Sequence, residues 1–307
     1  MSKYIKIKNL EEISEKAIFA VEGSSYVLNL NLKFKFNIGL IENSLSDVSN
    51  IATKFQNKDC PKDLYINHGM FIHKNGRDGI MNVVEQLKNN DSGNRALISL
   101  INQEDIIDSE DKPIPSFMIL QFALENKKDL YITTYFRALE VSQFLRINTE
   151  EIRQIIGKIA ENITSIQKIY LNIISFRAFV KRDINTLEKP EIDLLNQKDI
   201  LKYLLKKDSN LESLIMLLEE KNNSSSVIEY NAFEYILGWL EDSTYIDMIH
   251  ENLNKSLIIG ILKEIISLMA SLKELRKQSS HGERIDNEYK KYKEKLNQLI
   301  VEIRNDS

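Results

Sequence analysis

The chain has 307 residues, 43% hydrophobic and 28% charged, which supplies ample material for a core and an ordinary charged surface. A net charge of −4 gives no electrostatic footprint for nucleic acid, and no apolar run reaches the roughly 18–20 residues that span a bilayer. The lone cysteine, Cys60, excludes an internal disulfide and a cysteine-based metal cluster, and the polar start MSKYIKIKNLEEISEK lacks the apolar segment of a secretory signal, so a cytoplasmic protein is expected.

From Tyr26 to Phe36, apolar and polar residues alternate with period two, predicting a strand or hairpin. Ile80, Val83, Val84 and Leu87 recur at helical spacing over 79–89, with Asp78 placed to cap the first turn. The polar run Asn89–Asn94 predicts a turn before a strand at Arg95–Ile101. Strands at Ser116–Leu124 and Leu130–Arg137 frame a turn at Glu125–Asp129. A helix is expected from Thr149, with Ile152, Ile155, Ile156, Ile159 and Ile163 on one side, and an extended segment at Lys168–Val180.

After Pro190 the alternation fades and helical spacing takes over. Ser209 and Glu212 form a capping-box pair before Leu214, Leu217 and Leu218, and Asn222–Ser226 reads as a loop. Two matched apolar seams follow: Ile258, Ile261, Ile265, Leu268, Leu272 and Leu275, then Ile285, Tyr289, Tyr292, Leu296, Leu299 and Ile303. Joined through QSSHGE, where Gly282 offers a helix stop, they predict an antiparallel helical hairpin over 257–304, packed on the body or paired with a partner. The expected organisation is an α+β domain over 1–189 and an α-helical region over 190–307.

His68, His73, His250 and His281 are scattered, and no HExxH or CxxC spacing supports a metal site. Gly76-Arg77-Asp78-Gly79 lacks the spacing and the lysine of a phosphate loop. The aromatic run Tyr230–Trp239 fits a helical core, and Cys60, followed by Pro61, fits a loop thiol.

The stretch from Pro113 to Ile152 carries the most specific pattern. Pro115-Ser116-Phe117, then Gln121-Phe122, then Tyr135-Phe136-Arg137-Ala138-Leu139-Glu140, then Ile147-Asn148 occur in that order. This resembles the catalytic segment of thymidylate synthases and deoxycytidylate hydroxymethylases, in which a Pro-Cys-His turn precedes a Gln-Phe strand, a Tyr-Gln-Arg-Ser-x-Asp strand end and a Phe-Asn helix start. The resemblance runs from Gly23 to Lys181: IMNVVEQLKNNDSGNRALIS is similar to the family's helix, turn and arginine strand, His68-Gly69 stands for its Tyr-Gly, and IISFRAFVKR for its His-x-Tyr strand.

The resemblance implies a bent mixed sheet with covering helices and a homodimer in which Arg95 completes the partner's pocket. It assigns the nucleotide phosphate to Arg95 and Arg137, the pyrimidine edge to Asn148, and the folate-facing carboxylate to Glu140. Gln121 keeps its strand position, and Arg177 and Phe179 replace the histidine and tyrosine that grip the ribose. Ser116 stands at the nucleophile, where the chemistry needs a thiolate, and Phe117 at the adjacent histidine. Asn94 and Val21 replace two phosphate arginines, and the shortened stretch before His68 removes the folate wall, so no cofactor is expected. The function implied is a non-catalytic, nucleotide-binding sensor or regulatory partner, with the carboxy-terminal helices available to another protein. Two alternatives stay open: a pyrimidine-nucleotide enzyme using Ser116, His68 or Cys60, and a dimeric scaffold.

Overall fold

The computed structural model describes residues 4–62, 64–90, 93–107, 112–181, 190–200, 202–203, 211–224, 230–279 and 282–306. The chain divides into a first unit (Met1–Pro61, Ile66–Glu110, Ile114–Leu187) and a second (Glu188–Ser307 with Lys62–Tyr65 and Asp111–Pro113).

The first unit is α+β. Its strands are β1 (Ile5–Lys6), β2 (Val27–Asn37), β3 (Leu97–Ser99), β4 (Phe117–Glu125), β5 (Asp129–Glu140) and β6 (Lys168–Phe179). They form one mixed sheet in the order β1-β2-β6-β5-β4-β3, with β1–β2 and β5–β6 parallel and the other pairs antiparallel. Its helices are α1 (Glu11–Val21), α2 (Ser46–Gln56), α3 (Gly69–Ile72), α4 (Gly79–Asn89), α5 (Gln103–Ile107) and α6 (Phe144–Asn162). A parallel pair needs a crossover, and α6 supplies it between β5 and β6.

Period-two burial sets the two faces of the sheet. Leu130, Ile132, Thr134 and Phe136 of β5 and Ile169, Leu171, Ile173 and Ser175 of β6 are buried with Ile13 of α1, Val83 and Leu87 of α4, and Ile152, Ile155, Ile156 and Ile159 of α6. The alternate positions, among them Tyr131, Thr133, Tyr135, Tyr170, Asn172 and Ile174, form an open face of intermediate exposure.

Several sequence expectations map directly. Asp78 caps α4 through Oδ1, which accepts the Ile80 and Met81 amides at 2.9 and 3.2 Å. The β4–β5 turn closes through Lys128 N to Glu125 O at 3.0 Å, with Asn126 and Lys127 left-handed at φ 53° and 57°. The expected strand or hairpin at Tyr26–Phe36 is one strand, β2. The strand expected at Arg95–Ile101 shortens to Leu97–Ser99. The crossover helix starts at Phe144, five residues before Thr149, because Glu140 reaches forward to its first amides: Oε2 accepts Gln143 N at 2.8 Å and Phe144 N at 3.1 Å.

The second unit is helical among its described residues: α7 (Glu191–Leu194), α8 (Gln197–Ile200), α9 (Leu211–Asn223), α10 (Asn231–Glu241), α11 (Lys255–Gln278) and α12 (Glu283–Asp306). Ile215, Leu218, Phe233, Leu262, Ile265 and Leu296 lie at its core. Lys295 Nζ pairs with Glu264 at 2.6 Å, and Glu288 bonds Ser271, so α11 and α12 run antiparallel as a hairpin. Gly282 does not stop α11; its carbonyl accepts Ile285 N and Asp286 N and so opens α12. The Ser209 cap and His281 lie outside the described residues, and Asn222 and Asn223, expected in a loop, end α9 instead. A buried Lys221–Asp193 ion pair joins α9 to α7. Among the described residues, no helix is long and apolar enough to cross a membrane.

Candidate functional site

The polar centre of the first unit is built on α6. Asn148, Thr149, Glu150 and Glu151 are four consecutive buried polar residues in a helix that otherwise buries Leu145 and isoleucines. Glu151, 1% exposed, accepts from His68 Nδ1 at 2.8 Å and from Asn148 Nδ2 at 3.0 Å. A carboxylate at Nδ1 places the ring proton there, so the neutral ring presents Nε2 as its acceptor. Phe55 and Phe117 pack on the imidazole with ring centroids 5.2 and 5.6 Å away.

Local sequence holds His68 in place. Buried Asn67 donates to Asn57 O at 2.6 Å and Lys54 O at 3.2 Å, clipping the loop onto the end of α2. Gly69 lies so close to the Asn57 and Gln56 carbonyl oxygens that any Cβ would overlap them. Gln56 Nε2 donates to Glu151 O at 2.9 Å, tying that same turn to α6. The residues that orient His68 are therefore Asn67, Gly69, Gln56 and Glu151.

The neighbouring Glu150 is held as an ion. Burial raises its carboxyl pKa, but hydrogen bonds from Arg153, the Leu45 amide and Gln154 outweigh that and leave it below the ordinary value. Arg146, one turn before Glu150, binds Glu11 and Asp47 at 2.7 Å and so ties α6 to α1 and α2. These charges fix the helix that carries Asn148 and Glu151.

Ser116 sits in the bend before β4, half-buried, and its carbonyl accepts Arg137 N at 3.0 Å. Among the described residues its hydroxyl makes no hydrogen bond. Phe117 follows and stacks on Phe136 with centroids 4.6 Å apart, so an apolar pair occupies the side of the bend that faces His68. Arg137 is anchored beside this bend. Its Nε donates to Pro115 O at 3.3 Å and its Nη2 to Ile114 O at 3.0 Å, while the residue stays exposed. Desolvation lowers its pKa, yet a guanidinium remains charged.

The remaining predicted residues divide. Glu140 is buried and spent on structure: besides the amides of Gln143 and Phe144 it accepts Ser142 N at 2.9 Å, the Ser142 hydroxyl and Lys181 N at 3.3 Å. It is the cap of α6, which explains its presence without a folate. Gln121 alternates with buried Leu120 and Phe122, so it points to the open face, where it donates to Asn94 O at 3.2 Å. Arg95 is exposed just before the edge strand β3. Arg177 lies over the Tyr26 ring at 4.0 Å, a cation–π contact, and Phe179 ends β6 half-buried. The fold thus joins Phe117, His68, Glu151 and Asn148 on the buried side of the sheet with Ser116 next to Phe117 in the bend, whereas Arg137, which follows buried Phe136, lies toward the open face as Gln121 does.

Glu151 escaped sequence reasoning although a signal exists. Asn148, Glu151, Ile152, Ile155 and Ile159 share one helical stripe, and two polar residues on an apolar stripe imply a buried partner. Among the described residues, no group of three or more His, Cys, Asp or Glu side chains is arranged for a metal ion. Compared with protein-family models and with curated proteins, the sequence matches neither.

Proposed function

We propose that this protein is a thymidylate-synthase-like binding protein that has lost methyl transfer and holds a nucleotide or nucleotide-derived anion beside Ser116. The observation that carries this is Arg137, an exposed guanidinium that two backbone carbonyls of the Ser116 turn hold in position. A cation fixed in advance binds a phosphate without the entropy cost of ordering a free side chain. Its neighbour argues against covalent catalysis. A serine hydroxyl that is followed by an apolar ring and makes no hydrogen bond among the described residues is not engaged by a base that would activate it for attack on a pyrimidine, where a thiolate would serve.

On this reading the protein acts by binding, as a sensor or regulatory partner, and the helical second unit is the segment free to meet another protein. It also forms a homodimer through the apolar end of the open sheet face, where Ile119, Tyr135, Ile174 and the half-exposed Phe176 cluster. Light scattering at micromolar concentration should give twice the chain mass; a monomer rules the dimer out.

One observation favours a second reading. His68 with Glu151 behind it is the arrangement of a general base and its orienting carboxylate, which fits proton abstraction from a pyrimidine nucleotide. Native mass spectrometry and release of tritium from a C5-labelled pyrimidine nucleotide test the two together. A co-purifying nucleotide without tritium release supports the binding protein, and release abolished by His68→Ala replaces it with the enzyme. Neither signal leaves a scaffold whose ancestral pocket the Phe117–Phe136 stack fills.

A further inference from the structure

The open face of the sheet carries a second feature, far from Arg137. The parallel register places Lys6 of β1 directly beside Lys35 of β2, and the antiparallel register places Lys35 beside Tyr170 of β6. Lys168, two residues before Tyr170, projects from the same face. Together with Asn37 and Phe36 these residues line a cleft of about 220 Å³. Tyr170 is braced on both sides: Tyr131 stacks on it at 4.4 Å with 6° between the planes, and Tyr4 meets it edge-on at 5.2 Å.

The charge pattern needs a reason. Like charges directly opposite on neighbouring strands destabilise a sheet. In this chain, which has more acids than bases, cations such as Lys74, Arg146, Lys263 and Lys295 meet carboxylates. Among the described residues, Lys6, Lys35 and Lys168 meet none within ion-pair distance. Asp129, the cross-strand neighbour of Lys168 on β5, is the acidic group nearest in register. Protection of a sheet edge accounts for Lys6 on the edge strand β1, but β2 and β6 are interior strands, so edge protection does not account for Lys35 or Lys168. Three lysines lining one small cleft, with an amide and a phenol beside them, complement a compact polyanion.

We propose that the cleft of Lys6, Lys35, Lys168 and Tyr170 is a binding site for a small ligand with adjoining phosphate groups, either a free oligophosphate or the phosphate chain of a nucleoside triphosphate. Tyr131 already stacks on one face of Tyr170 and Tyr4 meets that ring at 85°, so recognition rests on the phosphates. The site is independent of Arg137: Lys168 lies opposite Asp129 in the register at the start of β5, eight residues and about 26 Å along the strand from Arg137.

Calorimetry on the full chain at low ionic strength tests this, with inorganic tripolyphosphate and ATP as separate arms and orthophosphate as the single-phosphate comparison. One ligand per chain is expected in at least one of the first two arms, with orthophosphate weaker. Lys35→Gln and Lys168→Gln should each weaken binding roughly tenfold or more, the cost of one charge-assisted contact. Lys88→Gln, at an exposed position in the last turn of α4, should leave binding within about twofold, as expected for a surface change away from the site. The ligand-free Tm of Lys6→Gln and Lys35→Gln should equal or exceed that of the parent, because each relieves a like-charge pair. Absence of binding in both arms overturns the site. So does an equal loss from Lys88→Gln, or a lowered ligand-free Tm in all three lysine variants, which would make the lysines structural.

Discussion

Gly69→Ala is the sharpest structural test of how the His68 neighbourhood is built. The added methyl would overlap the Asn57 and Gln56 carbonyl oxygens, both backbone atoms that cannot swing aside, so the loop must withdraw from α2. Withdrawal breaks the two Asn67 hydrogen bonds to Asn57 O and Lys54 O, and lengthens the 2.8 Å contact of His68 with Glu151. Two neutral hydrogen bonds contribute about 1 kcal/mol each and a bond to a charged group about 1.5–3 kcal/mol, so the loss approaches roughly 3.5–5 kcal/mol. Partial relaxation brings the expected value to about 3 kcal/mol, the upper part of the range for overpacked sites. Urea denaturation followed by far-ultraviolet circular dichroism reads the helices and strands of both units, so the first unit is read as the part of the transition that tryptophan fluorescence does not follow. Fluorescence of Trp239, the one tryptophan, reads the helical second unit. The circular-dichroism transition should move to lower urea at unchanged slope. A Gly69→Ala protein within about 0.5 kcal/mol of the parent, the range of ordinary surface substitutions, would refute the close approach and the positioning of His68 with it.

Two further outcomes follow from buried charges. Glu150 has a folded pKa below its ordinary 4.5, so its contribution to stability is complete above about pH 4.5 and is lost as pH falls through the folded value; Glu150→Gln should flatten the acid limb of a stability–pH profile, and an unchanged limb contradicts the Arg153 pairing. In the second unit, Lys221→Met strands the Asp193 carboxylate in the core and should cost about 3–5 kcal/mol by Trp239 fluorescence, whereas adding Asp193→Leu should recover most of it; equal losses from the single and double variants contradict the pairing.

Elements set by local pattern were legible in the sequence. Ile80, Val83, Val84 and Leu87 announce the buried side of α4, and the seams from Ile258 and Ile285 announce the helical hairpin, because each face is written in its own 3.6-residue spacing. What failed depended on residues distant in sequence or on an unusual cap. The start of α6 was missed because Gln143 at the cap position gives no signal and Glu140, three residues earlier, does the capping. Glu140 itself was matched to a ligand-facing aspartate, yet its oxygens are taken up by backbone amides and a hydroxyl, a role no spacing rule distinguishes from binding. The His68–Glu151 contact joins residues 83 apart, and the lysine cleft joins β1, β2 and β6; neither exists until the strands and loops are registered against each other.

The most direct test of the proposed function compares Arg137→Ala with Ser116→Ala by calorimetry against a panel of deoxynucleoside monophosphates. Loss of the guanidinium removes a charge-assisted contact of about 1.5–3 kcal/mol and should weaken binding by roughly tenfold to a hundredfold. Loss of the serine hydroxyl removes at most one neutral hydrogen bond, about 1 kcal/mol, and should change affinity by less than about tenfold. A binding protein built around Arg137 predicts that order. Equal and negligible effects of the two substitutions, or no binding of any nucleotide by the parent chain, would contradict it.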